Sequence, residues 1–143
     1  MEKQTPATAQ DTIRVTVPFI SGEAKPQELN GDLVFDPTDP YAVQLVVGQG
    51  DGPVVTWSFA RDLLAEGLYD PIGDGDVIVW PCLATDGKAV VVIELRSPHG
   101  MAMLQTPSRT VQRFVETIYE SVPAGAESAR IDVDAMLAHL LAG

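Results

Sequence analysis

The sequence predicts an α+β fold: about seven antiparallel strands in twisted sheets with a barrel-like core, one short inserted helix and two helices at the C-terminus. Three observations carry this. Apolar residues alternate with polar ones through most of residues 13–105, the period of a strand with one buried face. Clusters of Gly, Pro and Asp separate the alternating runs. The apolar spacing changes to three and four only in a short stretch near residue 63 and again beyond Thr106.

Residues 1–10 are polar and aperiodic and read as a flexible tail before a single domain spanning 11–143. In TIRVTV, Ile13, Val15 and Val17 alternate with Arg14 and Thr16, which predicts the first strand. SGEAKPQ reads as a turn, and DLVFD as a second strand that Pro37 and Pro40 bring to an end. YAVQLVV and VVTWSF follow as a hairpin across the glycine-rich stretch Gly48–Pro53. That stretch lacks the G-x-G-x-x-G spacing between strand and helix that a dinucleotide phosphate requires.

The inserted helix is expected next, with Ser58 as its N-cap, Leu63, Leu64 and Leu68 held by packing, and Gly67 in the left-handed position that ends it. Residues 69–76 form its exit loop. DVIVWP and KAVVVIEL are strands, and the second is apolar on both faces: Ala89, Val91, Ile93 and Leu95 on one, Val90 and Val92 on the other. A second apolar face needs a cover, so Val90 and Val92 are expected to meet another layer or another subunit. SPHG turns the chain into MAMLQT, the seventh strand. In the helix that follows, Thr106 is expected to cap, Pro107 to take the first position, and Val111, Phe114, Val115, Ile118 and Val122 to form the buried stripe. A last helix is expected from Asp132, with Ile131 and Met136 as a hydrophobic staple and Met136, Leu137, Leu140 and Leu141 on one face.

Twenty acidic and nine basic residues give a net charge of -11, the wrong sign for a polyphosphate backbone. No run approaches the length of an apolar membrane span, and the start of the chain has no apolar block behind a basic end, so a cytoplasmic chain is expected. The lone Cys82 is expected to be a small buried apolar residue, and Trp57, Trp80 and Phe59 to be core residues.

Chemistry finds little support in the residue pattern. Asp70, Asp74 and Asp76 offer carboxylates on one loop, but Pro81 stands where a calcium loop counted from Asp70 needs a bidentate Glu, so a solvated turn is expected. Asp62 and Glu66 lie one helical turn apart and read as exposed surface. His99 and His139 are distant in sequence and have no companion ligands, and no G-x-S-x-G elbow activates Ser97 or Ser108. No catalytic residue, metal or cofactor is assigned. The surface expected to meet other proteins is the 61–76 segment, through Arg61, Glu66, Tyr69 and Asp70.

Five blocks in order carry a family resemblance: DPYAV at 39–43, W.FARDLLAEGL from Trp57 to Leu68, P.G.GDV.VWP from Pro71 to Pro81, SP.G at 97–100, and VP.G.E from Val122 to Glu127. Together they resemble the SsgA-like family of actinobacterial sporulation and cell-division proteins, over roughly residues 11–142. The resemblance implies a non-enzymatic protein of the division septum that recruits the tubulin-like GTPase FtsZ and works with other SsgA-like proteins. It also implies a homotrimer whose subunit is similar to the Whirly-type fold of single-strand nucleic-acid binders, so that a nucleic-acid-binding module is the alternative function. Kinship of shape does not carry a ligand with it, and the net charge opposes that one.

Overall fold

The computed structural model describes residues 12–21, 26–48 and 52–130. Within them the chain forms one eight-stranded antiparallel sheet in the order β4-β3-β2-β1-β8-β7-β6-β5. The strands are β1 (Ile13–Ser21), β2 (Glu28–Phe35), β3 (Ala42–Gly48), β4 (Val54–Ala60), β5 (Ile72–Asp74), β6 (Val77–Leu83), β7 (Ala89–Ser97) and β8 (Gly100–Pro107). Three helices accompany them: α1 (Arg61–Gly67), α2 (Ser108–Ser121) and the single turn α3 (Glu127–Arg130).

Alternation in the sequence becomes facing in the sheet. Val17 and Phe19 of β1, Leu33 and Phe35 of β2, Val43 and Leu45 of β3, Phe59 of β4, Val77 and Val79 of β6, and Val91, Ile93 and Leu95 of β7 point to one core. Leu63 and Leu64 of α1 and Val111, Phe114 and Ile118 of α2 close it. The stripe expected on α2 is therefore the stripe buried, with Val115 packed at its margin. The two halves of the sheet meet at a narrow seam. β1 and β8 share only the pairs Ile20↔Gln105 and Ser21↔Leu104, and the Thr106 hydroxyl donates to the Pro18 carbonyl at 2.8 Å beside them.

Several expectations are corrected. The eighth strand is β5, a three-residue strand that forms a hairpin with β6 through Gly75 and Asp76. Gly75 has φ of 65°, the left-handed region this turn needs. Ser58 does not cap α1: it stays in β4, the N-cap position falls to Ala60, and no side chain caps the helix. The first helical amide, Arg61 N–H, instead donates to the Tyr41 carbonyl at 2.8 Å, so the β3–β4 ladder runs into the helix and takes over part of the cap's role.

Gly67 is no left-handed terminator either. It is buried inside α1, and a Cβ there would fall 2.2 Å from Val79 Cγ1 on β6, so its role is close approach of helix to sheet. Thr106 belongs to β8, and α2 starts without a side-chain cap from a Pro107 N-cap. Cys82 is exposed, because β6 alternation turns it to the face opposite Val77 and Val79. Trp80 is half-buried on that same outer face, whereas Trp57 packs against the core as expected.

Val90 and Val92 are both buried within the single chain. In register Val92 lies between Trp80 and Gln105, and Val90 between Cys82 and Pro107. Cross-strand neighbours at such spacing shield a β-branched side chain without any further layer. The single chain thus leaves Val90 only 7% and Val92 only 6% exposed. The tail at 1–10, the staple of Ile131 and Met136, and the second C-terminal helix expected from Asp132 lie outside the described residues.

Candidate functional site

α1 sits where the two ends of the sheet approach each other, leaving edge strand β4 and packing on β6 and β5. Its first residue, Arg61, is only 1% exposed and is the largest fully buried side chain among the described residues. Burying a guanidinium demands compensation. One terminal nitrogen donates to the Val122 carbonyl at 2.7 Å, and the other to Glu127 Oε2 at 2.9 Å. The group lies over the Tyr119 ring at 4.0 Å from its centroid and 5.7 Å from that of Phe35, a stacked arrangement that a planar cation favours. Its Nε atom is buried without a partner.

The companions of Arg61 are fixed in turn. Glu127 Oε1 accepts the Gly125 amide at 2.7 Å, and the Tyr119 hydroxyl donates to Asp62. The hydrogen bond from Arg61, with backbone amides adding to it, holds the Glu127 carboxyl below its ordinary value. Burial, and next the hydrogen bond to Asp62, push the Tyr119 hydroxyl well above its ordinary value. These contacts rivet the start of α1 to the end of α2 and to α3.

The other three expected surface residues lie at the opposite end of the helix. Glu66, Tyr69 and Asp70 are exposed, and the Glu66 carbonyl accepts the amides of both Tyr69 and Asp70 at 3.0 Å. Tyr69 is 70% exposed, a large amphipathic ring presented to solvent on a fixed backbone. Arg61 is separated from them: of the four residues it alone faces inward and has no surface to offer a partner. Asp76 is exposed beyond β5, and the Asp74 side chain lies outside the described residues, so the loop carboxylates are not seen to gather. Among the described residues no group of three or more His, Cys, Asp or Glu side chains converges.

Beside Tyr69 opens a cleft of about 410 Å³, walled by the end of α1, the β6–β7 hairpin and the first turns of α2. Leu68 and Tyr69 face Pro81, Cys82 and Leu83 across it, with Gln112 from α2 at one side. Leu83 is 69% exposed, so two large apolar groups flank one concavity. Sequence reasoning missed the β6 side of this surface. Period-2 parity with Val77 and Val79 places Cys82 outward, but Leu83 shares the inward parity and is freed only because the strand ends there. Nothing in this arrangement activates a nucleophile or poises an acid and a base. Its chemistry is that of a contact surface: an aromatic and an aliphatic anchor, with exposed Glu66 and Asp70 close to Tyr69 along the chain.

Known proteins confirm the resemblance. Residues 29–127 match the family described as Streptomyces sporulation and cell division protein, SsgA. The sporulation-specific cell division protein SsgB of Streptomyces coelicolor is 46% identical over 110 residues, covering 77% of this chain and 80% of that one. SsgB of Frankia casuarinae is 41% identical over 136 residues, covering 95% and 92%. Among solved structures, the SsgA-like sporulation-specific cell division protein of Thermobifida fusca superposes with a TM-score of 0.82 at 35% identity, covering 90% of this chain and 94% of that one. A structure reported with SsgB mutations that correlate with longitudinal division during sporulation of Streptomyces coelicolor gives 0.78 at 38% identity, covering 83% and 94%. Curled antiparallel sheet, helices and sequence agree over most of the chain, which therefore belongs to the SsgA family of sporulation and cell-division proteins.

Proposed function

We propose that this chain is a non-catalytic adaptor of sporulation-specific cell division, working in the cytoplasm at the septum, and that the division GTPase FtsZ and other SsgA-like proteins are what it gathers there. Family membership supports the division role. The observation that carries the adaptor reading is the cleft beside α1, where exposed Tyr69, just past the end of a helix that the Arg61 contacts anchor, stands with exposed Leu83 at the end of β6. A preorganised apolar patch loses little side-chain and backbone freedom on docking, which is where affinity is gained. No helix among the described residues is long and apolar enough to cross a membrane, in keeping with a protein that reaches the septum through its partners.

The homotrimer implied by the resemblance is part of this proposal, as is a Whirly-like subunit shape. The small exposure that Val90 and Val92 keep in the single chain makes them at most a minor part of its interface. Sedimentation equilibrium at micromolar concentration is expected to give a multiple of the 15.3 kDa chain mass, and a lone monomer would contradict the assembly.

The docking surface is tested by measuring the affinity of purified FtsZ for the wild-type protein and for Tyr69→Ala and Leu83→Ser. Each variant is expected to bind roughly tenfold or more weakly while its melting temperature stays near that of wild type. Unchanged affinity in both variants would remove the cleft from the proposal, and no binding by the wild type, alone or with an SsgA-like partner present, would remove FtsZ.

A further inference from the structure

Strand β4 is an edge of the sheet, and its sequence, VVTWSFA, carries no charge and no proline. Natural edge strands are generally guarded by Lys, Pro, a bulge or a covering element, since unpaired backbone groups invite another strand. Among the described residues this edge has no such guard. Val54 is 62% and Val55 52% exposed, and Thr56 and Ser58 are exposed as well, while α1 reaches only the Ala60 end.

The phase of the ladder shows which groups are free. Arg61 N–H donates to the Tyr41 carbonyl, so the narrow, mutually bonded pairs are those in step with it: Phe59↔Val43, Trp57↔Leu45 and Val55↔Val47. The N–H and C=O groups of Val54, Thr56 and Ser58 therefore point away from β3, along the open edge. A row of donors and acceptors at the spacing of alternate residues is met by one kind of ligand, an extended peptide backbone.

We propose that the β4 edge accepts an extended segment of another protein as a ninth, antiparallel strand. The incoming segment is uncharged where it pairs with β4 and carries basic residues at its N-terminal end. Charge decides both details. Asp39 and Asp62, both exposed, flank the Ala60 end of β4, where the N-terminus of an antiparallel newcomer arrives. A second copy pairing antiparallel through its own β4 would bring to that end the sequence ahead of Val54, which holds no Lys or Arg between residues 36 and 53, so local charge favours a foreign, basic-tipped strand over self-pairing at this edge. The edge is separate from the Tyr69 cleft, and the inference does not rest on the FtsZ reading.

The probe is a synthetic peptide of two lysines followed by Thr-Val repeats, labelled at its C-terminus and titrated into the full-length protein. Saturable anisotropy is expected, with the amides of Thr56 and Ser58 gaining hydrogen-exchange protection while that of Trp57, already bonded to β3, changes little. Thr56→Pro removes one outward N–H without touching the β3 ladder and is expected to weaken binding roughly tenfold at unchanged melting temperature. Methylating the peptide on alternate backbone nitrogens gives the same test without altering the protein, and one of the two phases is expected to abolish binding. Tyr69→Ala is expected to leave peptide affinity as it is. No binding up to millimolar peptide, equal binding by both methylated phases, or protection at Trp57 in place of Thr56 would overturn the proposal. So would a self-associated species, seen by sedimentation, that Thr56→Pro dissolves, because the edge would then belong to a second copy.

Discussion

Replacing Arg61 by alanine takes away the largest fully buried side chain described, together with two hydrogen bonds and a stacked ring. Lost packing alone sets the scale, and a loss of about 3 kcal/mol in chemical unfolding is expected. Lysine is not a conservative replacement here, because it supplies neither the fork to Val122 and Glu127 nor the flat face over Tyr119. The Glu127 carboxyl is depressed in the folded protein, so its contribution to stability is present above the ordinary carboxyl value of 4.5 and is lost as pH falls through the lower folded value. Glu127→Gln is expected to flatten that acid limb in denaturation curves recorded across the range. Tyr119 behaves oppositely: its folded hydroxyl is raised, so its share is complete below the ordinary value of 10.0 and declines at higher pH. Alkaline unfolding of Tyr119→Phe is expected to depend less steeply on pH. None of this was legible locally. An Arg at the start of a helix reads as solvated, and what buries it comes from Tyr119, Val122 and Glu127, far along the chain; Glu66, Tyr69 and Asp70 were legible as surface because their exposure needs no distant partner.

At the scale of elements, Gly67 shows how little room separates α1 from β6. A methyl group there meets Val79 Cγ1 at 2.2 Å and Val79 Cβ at 2.6 Å, too near for a side-chain rotation to relieve both. Gly67→Ala is therefore expected to destabilise by about 2 kcal/mol, even though alanine favours helix. A thermal melt of Gly67→Ala unchanged from wild type would show that the helix rides farther from the sheet than described. β1 and β3 were legible because apolar residues recur at every second position along them, and β7 because its apolar run is unbroken. β5 was not: three residues are too few to show a period, and it exists because the Gly75 turn folds it back on β6. The expected caps failed for one shared reason. Ser58 and Thr106 both lie in strands that continue almost to the helix start, and the ladder kept them in extended backbone. Both faces of β7 were read as apolar correctly, and within the single chain Trp80, Gln105 and Pro107 stand across from the second face.

For the whole molecule, the net charge of -11 sets the terms of association. Gel shifts at low salt with single-stranded DNA are expected to show no complex, since counterion release needs a cationic track. Tight binding there would revive the nucleic-acid alternative. The family and the antiparallel, strand-dominated fold were legible in the sequence, the first through the ordered FARDLLAEGL and GDV.VWP blocks, the second through alternation. The cleft was half legible: its α1 side lies within a recognisable block, while its β6 side depends on where a strand stops.

Cys82 offers the most direct measurement of whether that cleft is where partners dock. It is the single cysteine of the chain, it is exposed, and it lines the cleft opposite Tyr69. Its labelling by a maleimide is followed with and without saturating FtsZ, and with FtsZ added to Tyr69→Ala. The account predicts that FtsZ slows labelling of the wild-type protein several-fold, by analogy with any buried contact residue, and has little effect in the variant at the same concentration. A labelling rate that FtsZ leaves unchanged while binding is demonstrably complete would contradict it.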